Sequence, residues 1–92
     1  VIRSVVIAES AQKQLRKVPR YVAEKLADWA LAVEAYGLDE IRKVPGYHDE
    51  SLKGKRAGQR SIRLSRAYRA IYIISDRALE FVSVEEVHKH DY

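Results

Sequence analysis

The chain has 92 residues, enough for one domain and too few for two. It is 47% hydrophobic and 33% charged and has no cysteine, which supports a packed core, excludes a disulfide scaffold and favours a reducing compartment. The net charge of +4 permits an anionic partner, and no apolar run approaches the roughly 18–20 residues of a membrane span, so a cytoplasmic protein working away from the membrane is expected.

The start, residues 1–8, is too short for a signal peptide, and its β-branched residues predict a strand over 2–7. Glu9 and Ser10 supply acceptors near a helix start, and Ala8, Ala11, Leu15 and Val18 then recur at helical spacing. Pro19 interrupts that helix and suits the opening of the next. Val22, Leu26, Trp29, Val33 and Tyr36 form one apolar stripe, with Gly37 as a C-terminal cap. Residues 37–59 read as loop or loose helix, punctuated by Pro45-Gly46, Gly54 and Gly58. Three strands follow at 59–64, 68–74 and 79–87, the last two joined by a Ser75-Asp76-Arg77 turn. The order β-α-α-β-β-β predicts a single α+β domain over 1–92. In it a helical hairpin packs on one face of a small twisted, mostly antiparallel sheet, which the first strand joins, and the other face stays open.

Charge is unevenly placed. From Ser51 to Ser75 there is no acidic residue, and Lys53, Lys55, Arg56, Arg60, Arg63, Arg66 and Arg69 fall in that window. Such a stripe suits a phosphate backbone, and its preponderance of arginine, whose planar fork binds phosphate bidentately and stacks on bases, points to RNA. Strand alternation places Ile62 and Leu64 against the helices and Ser61, Arg63 and Ser65 on the open face. Arg69 opens the most apolar strand, where it needs either an internal carboxylate or a bound phosphate.

The chain ends Glu85-Glu86-Val87-His88-Lys89-His90-Asp91-Tyr92. In an extended tail His88, His90 and Tyr92 share a face, and imidazoles beside a phenol are suited to proton transfer at phosphorus. RNA cleavage by its own 2′-hydroxyl needs a base, cations to hold the charged phosphorane and an acid for the leaving 5′-oxygen. A disordered terminus is the simpler reading of such residues. The His88-x-His90 pair, with Asp91 beside it, has no further ligand at recognisable metal spacing, so neither metal nor cofactor is expected, and His48 reads as a solvated loop residue.

Several segments together resemble one family. They are the Ser51-Leu52-Lys53-Gly54 turn, the Gly58-Gln59-Arg60-Ser61-Ile62-Arg63 and Tyr68-Arg69-Ala70-Ile71-Tyr72 strands, and the His90-Asp91-Tyr92 end. In this order along the chain they resemble the RelE/ParE superfamily of toxins from type II toxin–antitoxin pairs, nearest the HigB and RelE/YoeB mRNA interferases. The resemblance implies a RelE-like fold and a metal-independent, ribosome-dependent mRNA endonuclease. By position it gives Arg69 the contact to the scissile phosphate and Glu50 the role of general base, which the pair Lys53 and Lys55 could fill instead. It places the C-terminal catalytic histidine or tyrosine at His88 when counted from the Asp76 turn, or at His90 and Tyr92 when the chain ends are matched, with Asp91 as an acidic candidate. The implied partners are ribosome and mRNA and a cognate antitoxin carrying a helix-turn-helix, through which alone operator DNA would be reached. Two other functions fit the same fold: a ParE-like toxin acting on DNA gyrase, and a catalytically inactive module that binds RNA or a partner.

Overall fold

The computed structural model describes residues 2–87. β1 (Ser4–Ile7) leads through Ala8 into α1 (Glu9–Leu15), and α2 (Arg20–Tyr36) follows Pro19. A short α3 (Leu38–Ile41) comes next. Then β2 (Glu50–Ser51), β3 (Arg60–Arg63), β4 (Tyr68–Ser75) and β5 (Ala78–Glu86) complete the order, with 3-10 turns at Pro45–Tyr47 and Gly54–Arg56. The predicted β-α-α-β-β-β frame is present, and α3 and β2 are additions to it. β2 is only two residues long, too short to show an alternating pattern.

The five strands form one sheet in the order β1-β5-β4-β3-β2. β1 pairs with β5 in parallel and the remaining neighbours are antiparallel. One face carries the core. Val22, Leu26, Trp29 and Val33 of α2 are buried there with Ile62, Leu64, Ala70, Tyr72, Leu79, Phe81 and Val84. Trp29 sits at the centre, its ring centroid 5.4 Å from both Tyr72 and Phe81. Tyr36 departs from the expected stripe and is 68% exposed. At the adjacent Gly37 the backbone takes φ 87 and ψ 151, a conformation that only glycine adopts without strain. The chain turns there, and Leu38 and Ile41 of α3 reach the core in place of Tyr36.

The register of β5 shifts once. Tyr72 pairs with Phe81 but its neighbour Ile71 pairs with Ser83, so Val82 is an extra residue in the strand. Strict alternation from Phe81 would send Ser83 and Glu85 to the helix side. The bulge sends Val84 there instead and turns Glu85 to the opposite face, across from Arg69.

β1 ends at the level of Phe81, and α1 takes over the exposed edge of β5 beyond it. The Ala8 N–H donates to the Phe81 carbonyl at 2.8 Å, the Ser10 hydroxyl to the Val82 carbonyl at 2.9 Å, and the Val84 N–H to Gln14 Oε1 at 2.6 Å. Ser10 therefore does not cap its own helix, which starts one residue earlier with Ala8 at the N-cap. Its hydroxyl and the Gln14 amide meet the backbone groups of the bulged segment, which lose their strand partner. No helix among the described residues is long and apolar enough to cross a membrane.

Gln14→Leu removes the acceptor of the Val84 N–H. It should lower unfolding stability by about 1 kcal/mol, read as a shifted urea midpoint at unchanged slope.

Candidate nucleic-acid interface

The sheet face away from the helices is not bare. Ser61 and Ile71 are buried although neither belongs to the helix-side core. A cleft of about 560 Å³ lies on this side. Ser61, Arg63 and Arg69 of β3 and β4 line it, with Arg56 from the turn before β3. His48 and Glu50 contribute from the segment entering β2, and Glu86 and Val87 from the end of β5.

Strand register arranges these groups in rows. Glu50 pairs with Ser61, Ser61 with Ile71 and Ile71 with Ser83. In the next row Arg63 stands opposite Arg69, and Arg69 opposite Glu85. Two arginines directly across a ladder repel one another, and the carboxylate on the far side offsets that repulsion.

Glu85 is the hub. It accepts from Arg56 Nη1 and Nη2 at 3.0 and 2.8 Å, from Arg69 Nη2 at 3.2 Å and from the Ser83 hydroxyl at 3.1 Å. Burial pushes its carboxyl upward. The hydrogen bonds from Arg56, Ser83 and Arg69 and the Arg56 charge outweigh burial and hold it below the usual glutamate range. The bond to Glu85 raises the Arg56 guanidinium against the opposing effect of burial. The internal carboxylate that Arg69 was expected to need is therefore Glu85, although Arg69 Nε remains buried without a partner among the described residues.

The acid-free window does not form one surface. Arg60 lies on the helix side of β3, where Nε donates to Asp49 Oδ1 at 2.7 Å. Tyr72 donates its phenol proton to Asp49 Oδ2 at 2.5 Å, and the Asp49 side chain is fully buried. Burial works against the Arg60 charge, and the bond and charge of Asp49 more than restore it. Burial, then the Asp49 bond and charge, push the Tyr72 phenol up to about 12. This network anchors the residue next to Glu50, and so the side of the cleft that carries His48 and Glu50. Lys53 and Lys55 are exposed on the turn between β2 and β3, which the Leu52 N–H closes by donating to the Gln59 carbonyl at 2.9 Å. Arg66 is exposed in the β3–β4 connection.

His48 and Glu85 escaped the sequence reading. His48 follows the 3-10 turn at Pro45–Tyr47 with φ 48, which sets it on the cleft wall. Nothing in its neighbours signals that. Glu85 is a visible acid on a predicted strand, but its face depends on the bulge. Val87 is the last described residue, so the candidates His88, His90, Asp91 and Tyr92 lie outside the described residues. Among the described residues no group of three or more His, Cys, Asp or Glu side chains is placed to hold a metal.

No family model and no curated protein matches the chain. Solved structures do. The YoeB/ParE toxin from Agrobacterium tumefaciens superposes with a TM-score of 0.71 at 20% identity, over 92% of this chain and 99% of that one. The toxin–antitoxin complex RelBE2 from Mycobacterium tuberculosis gives 0.69 at 21% identity, covering 95% and 100%. The YoeB–YefM complex from Staphylococcus aureus gives 0.70 at 16% identity, covering 92% and 97%. The fold is thus that of the RelE/ParE-like toxins, as the sequence resemblance implied.

Two titrations test this electrostatic arrangement. Ionised Glu85 contributes stability that is complete above its ordinary value of 4.5 and is lost as pH falls through its lower folded value. The stability gap between wild type and Glu85→Gln should hold constant above about pH 5 and close in more acid solution; a gap independent of pH would remove the ion-pair account. Tyr72 is stabilised as the neutral phenol, so its contribution is intact below 10 and lost as pH rises toward about 12. Phenolate absorbance should show one tyrosine lagging the others, and Tyr72→Phe should abolish the lag.

Proposed function

We propose that this chain is the toxin of a toxin–antitoxin pair and that its cleft cleaves messenger RNA presented by the ribosome. The observation that carries this reading is the meeting of Glu50, Arg63 and Arg69 in one cleft, on a fold shared with YoeB and RelE-type toxins. A carboxylate beside a pair of arginines supplies two of the three parts of transesterification at phosphorus. Glu50 takes the proton from the 2′-hydroxyl as that oxygen attacks phosphorus. Arg69, with Arg63 opposite, holds the charge that grows on the phosphorane oxygens. The bond to the 5′-oxygen breaks and that oxygen takes a proton from His88, His90 or Tyr92, with Asp91 beside them. The products are a 2′,3′-cyclic phosphate and a free 5′-hydroxyl, and in this reading neither metal nor cofactor takes part.

Lys53 and Lys55, and Arg66 beyond them, contact RNA phosphates around the cleft, giving ribosome binding its salt dependence. Arg56 lines the cleft with its fork held by Glu85, and Arg60 acts at one remove, through the Asp49 anchor. The M. tuberculosis and S. aureus structures are complexes of toxin with antitoxin. That likeness supports an antitoxin as the partner here. In this reading the antitoxin carries a helix-turn-helix through which operator DNA is reached, and the site of action is the cytoplasm.

Primer extension on mRNA after brief expression should show breaks at codon-spaced positions. Arg69→Ala and Glu50→Gln should each lower cleavage by about 100-fold or more and relieve growth arrest while antitoxin binding persists. Intact mRNA with induced DNA-damage signalling would move the assignment to a gyrase-directed toxin. Intact mRNA without it, beside retained RNA binding, would leave a binding module.

A further inference from the structure

The bridge between β5 and the turn before β3 does more than neutralise charge. Arg56 belongs to a three-residue 3-10 turn and has no regular strand to hold its direction. Its guanidinium is nevertheless fixed by two parallel hydrogen bonds to a carboxylate 29 positions later in the chain. Fork-to-carboxylate pairing of this kind sets the plane as well as the place of a guanidinium. The same carboxylate takes one Nη2 donor of Arg69, and Arg69 Nε still has no partner among the described residues. Ser83, two residues away on β5, holds the other carboxylate oxygen. Arg63 stands across from Arg69, and no bond to it is seen among the described residues. Three guanidiniums thus line one cleft, two of them bound to the same carboxylate, Glu85, with Glu50 and Glu86 also on the cleft wall and the Arg69 Nε donor unfilled.

We propose that Glu85 is a positioning residue for the cleft: it assembles Arg56 and Arg69, with Arg63 alongside, into a preformed clamp for a single RNA phosphodiester. The clamp deepens the nuclease reading given above and rests on it for the identity of the substrate. Glu85 touches no reacting atom. Its work is to hold like charges at close quarters before the substrate arrives, so that little reorganisation is needed as charge develops on phosphorus. A phosphate oxygen entering beside Arg69 supplies the acceptor that its Nε lacks. Without the carboxylate the arginines repel and the Arg56 fork swings free. Removing the Glu85 charge makes the cleft more positive by one, so ground-state attraction for RNA does not weaken.

That combination predicts a kinetic split. In ribosome-programmed mRNA cleavage by the full chain, Glu85→Gln should lower kcat roughly 10- to 100-fold, the scale expected for misplaced catalytic groups, with KM unchanged or reduced. A raised KM at unchanged kcat, or no change in either, would overturn the proposal. In an Arg56→Ala background the same substitution should cost less than it does alone, because part of its effect passes through Arg56; full additivity counts against it. A third measurement needs neither ribosome nor variant. Inorganic phosphate titrated into the wild-type protein should shift the Arg69 Nε–H resonance saturably, while the Arg56 Nε–H stays resolved. An Arg69 resonance that ignores phosphate, or an Arg56 resonance averaged with solvent, would overturn the clamp. Loss of cleavage by the wild type alone would sink the nuclease reading and leave the phosphate result to decide on the clamp.

Discussion

The extra residue at Val82 is the constraint on which the site depends. A β-strand assigns its side chains to faces by counting, and one inserted residue reverses the count for everything beyond it. Before the insertion Leu79 and Phe81 lie in the core; after it Val84 does, and Glu85 is turned outward. An unbulged β5 would carry a carboxylate toward the aromatic cluster of Trp29, Tyr72 and Phe81 and leave Arg69 facing a valine. The insertion is held from the helix layer, by the Ser10 hydroxyl on the Val82 carbonyl and the Gln14 amide on the Val84 N–H. Packing on one side of the sheet and electrostatics on the other are thus settled by the same segment.

Positive charge is less freely available than the composition implies. Arg60 is committed to a buried aspartate on the helix side, and Arg56 to Glu85 on the cleft side. The Arg60–Asp49 pair adds little net stability, yet losing the arginine strands a fully buried carboxylate and costs about 3–5 kcal/mol; Arg56 is 42% exposed, so its bridge is worth less. Arg60 therefore serves the architecture around the cleft, while Arg56 lines the cleft with its fork already held. Arg63 and Arg69 are the cations of β3 and β4 that line it.

The sequence was legible where periodicity is long. The α2 stripe from Val22 to Val33, the facing of Ile62 and Leu64, and the turn at Asp76, which takes a positive φ of 56, all follow from spacing and residue type. Tyr36 misled because it continues the stripe by one more step, while Gly37 redirects the chain and lets Leu38 do the burying. β2 left no pattern because two residues cannot alternate. Ser10 looked like a cap because a hydroxyl near a helix start usually is one, but a strand edge lacking partners claimed it. His48 and Glu85 reach the cleft through a left-handed backbone turn and a bulge, and no local composition announces either.

The parallel pairing of β1 with β5 also orders events in time. Ser4 must wait for Ala78 before its strand has a neighbour, and β5 lies between β1 and β4. Contacts between segments so far apart in the chain form slowly and late, since the loop between them must close before the pairing rewards it. During synthesis, the growing chain holds α1 and α2 long before it holds the strand they cover. Glu85 belongs to that same strand, so the core and the charged cleft come into being in one step, once β5 has paired. Core and cleft therefore cannot be uncoupled in folding: whatever delays the pairing of β5 delays both.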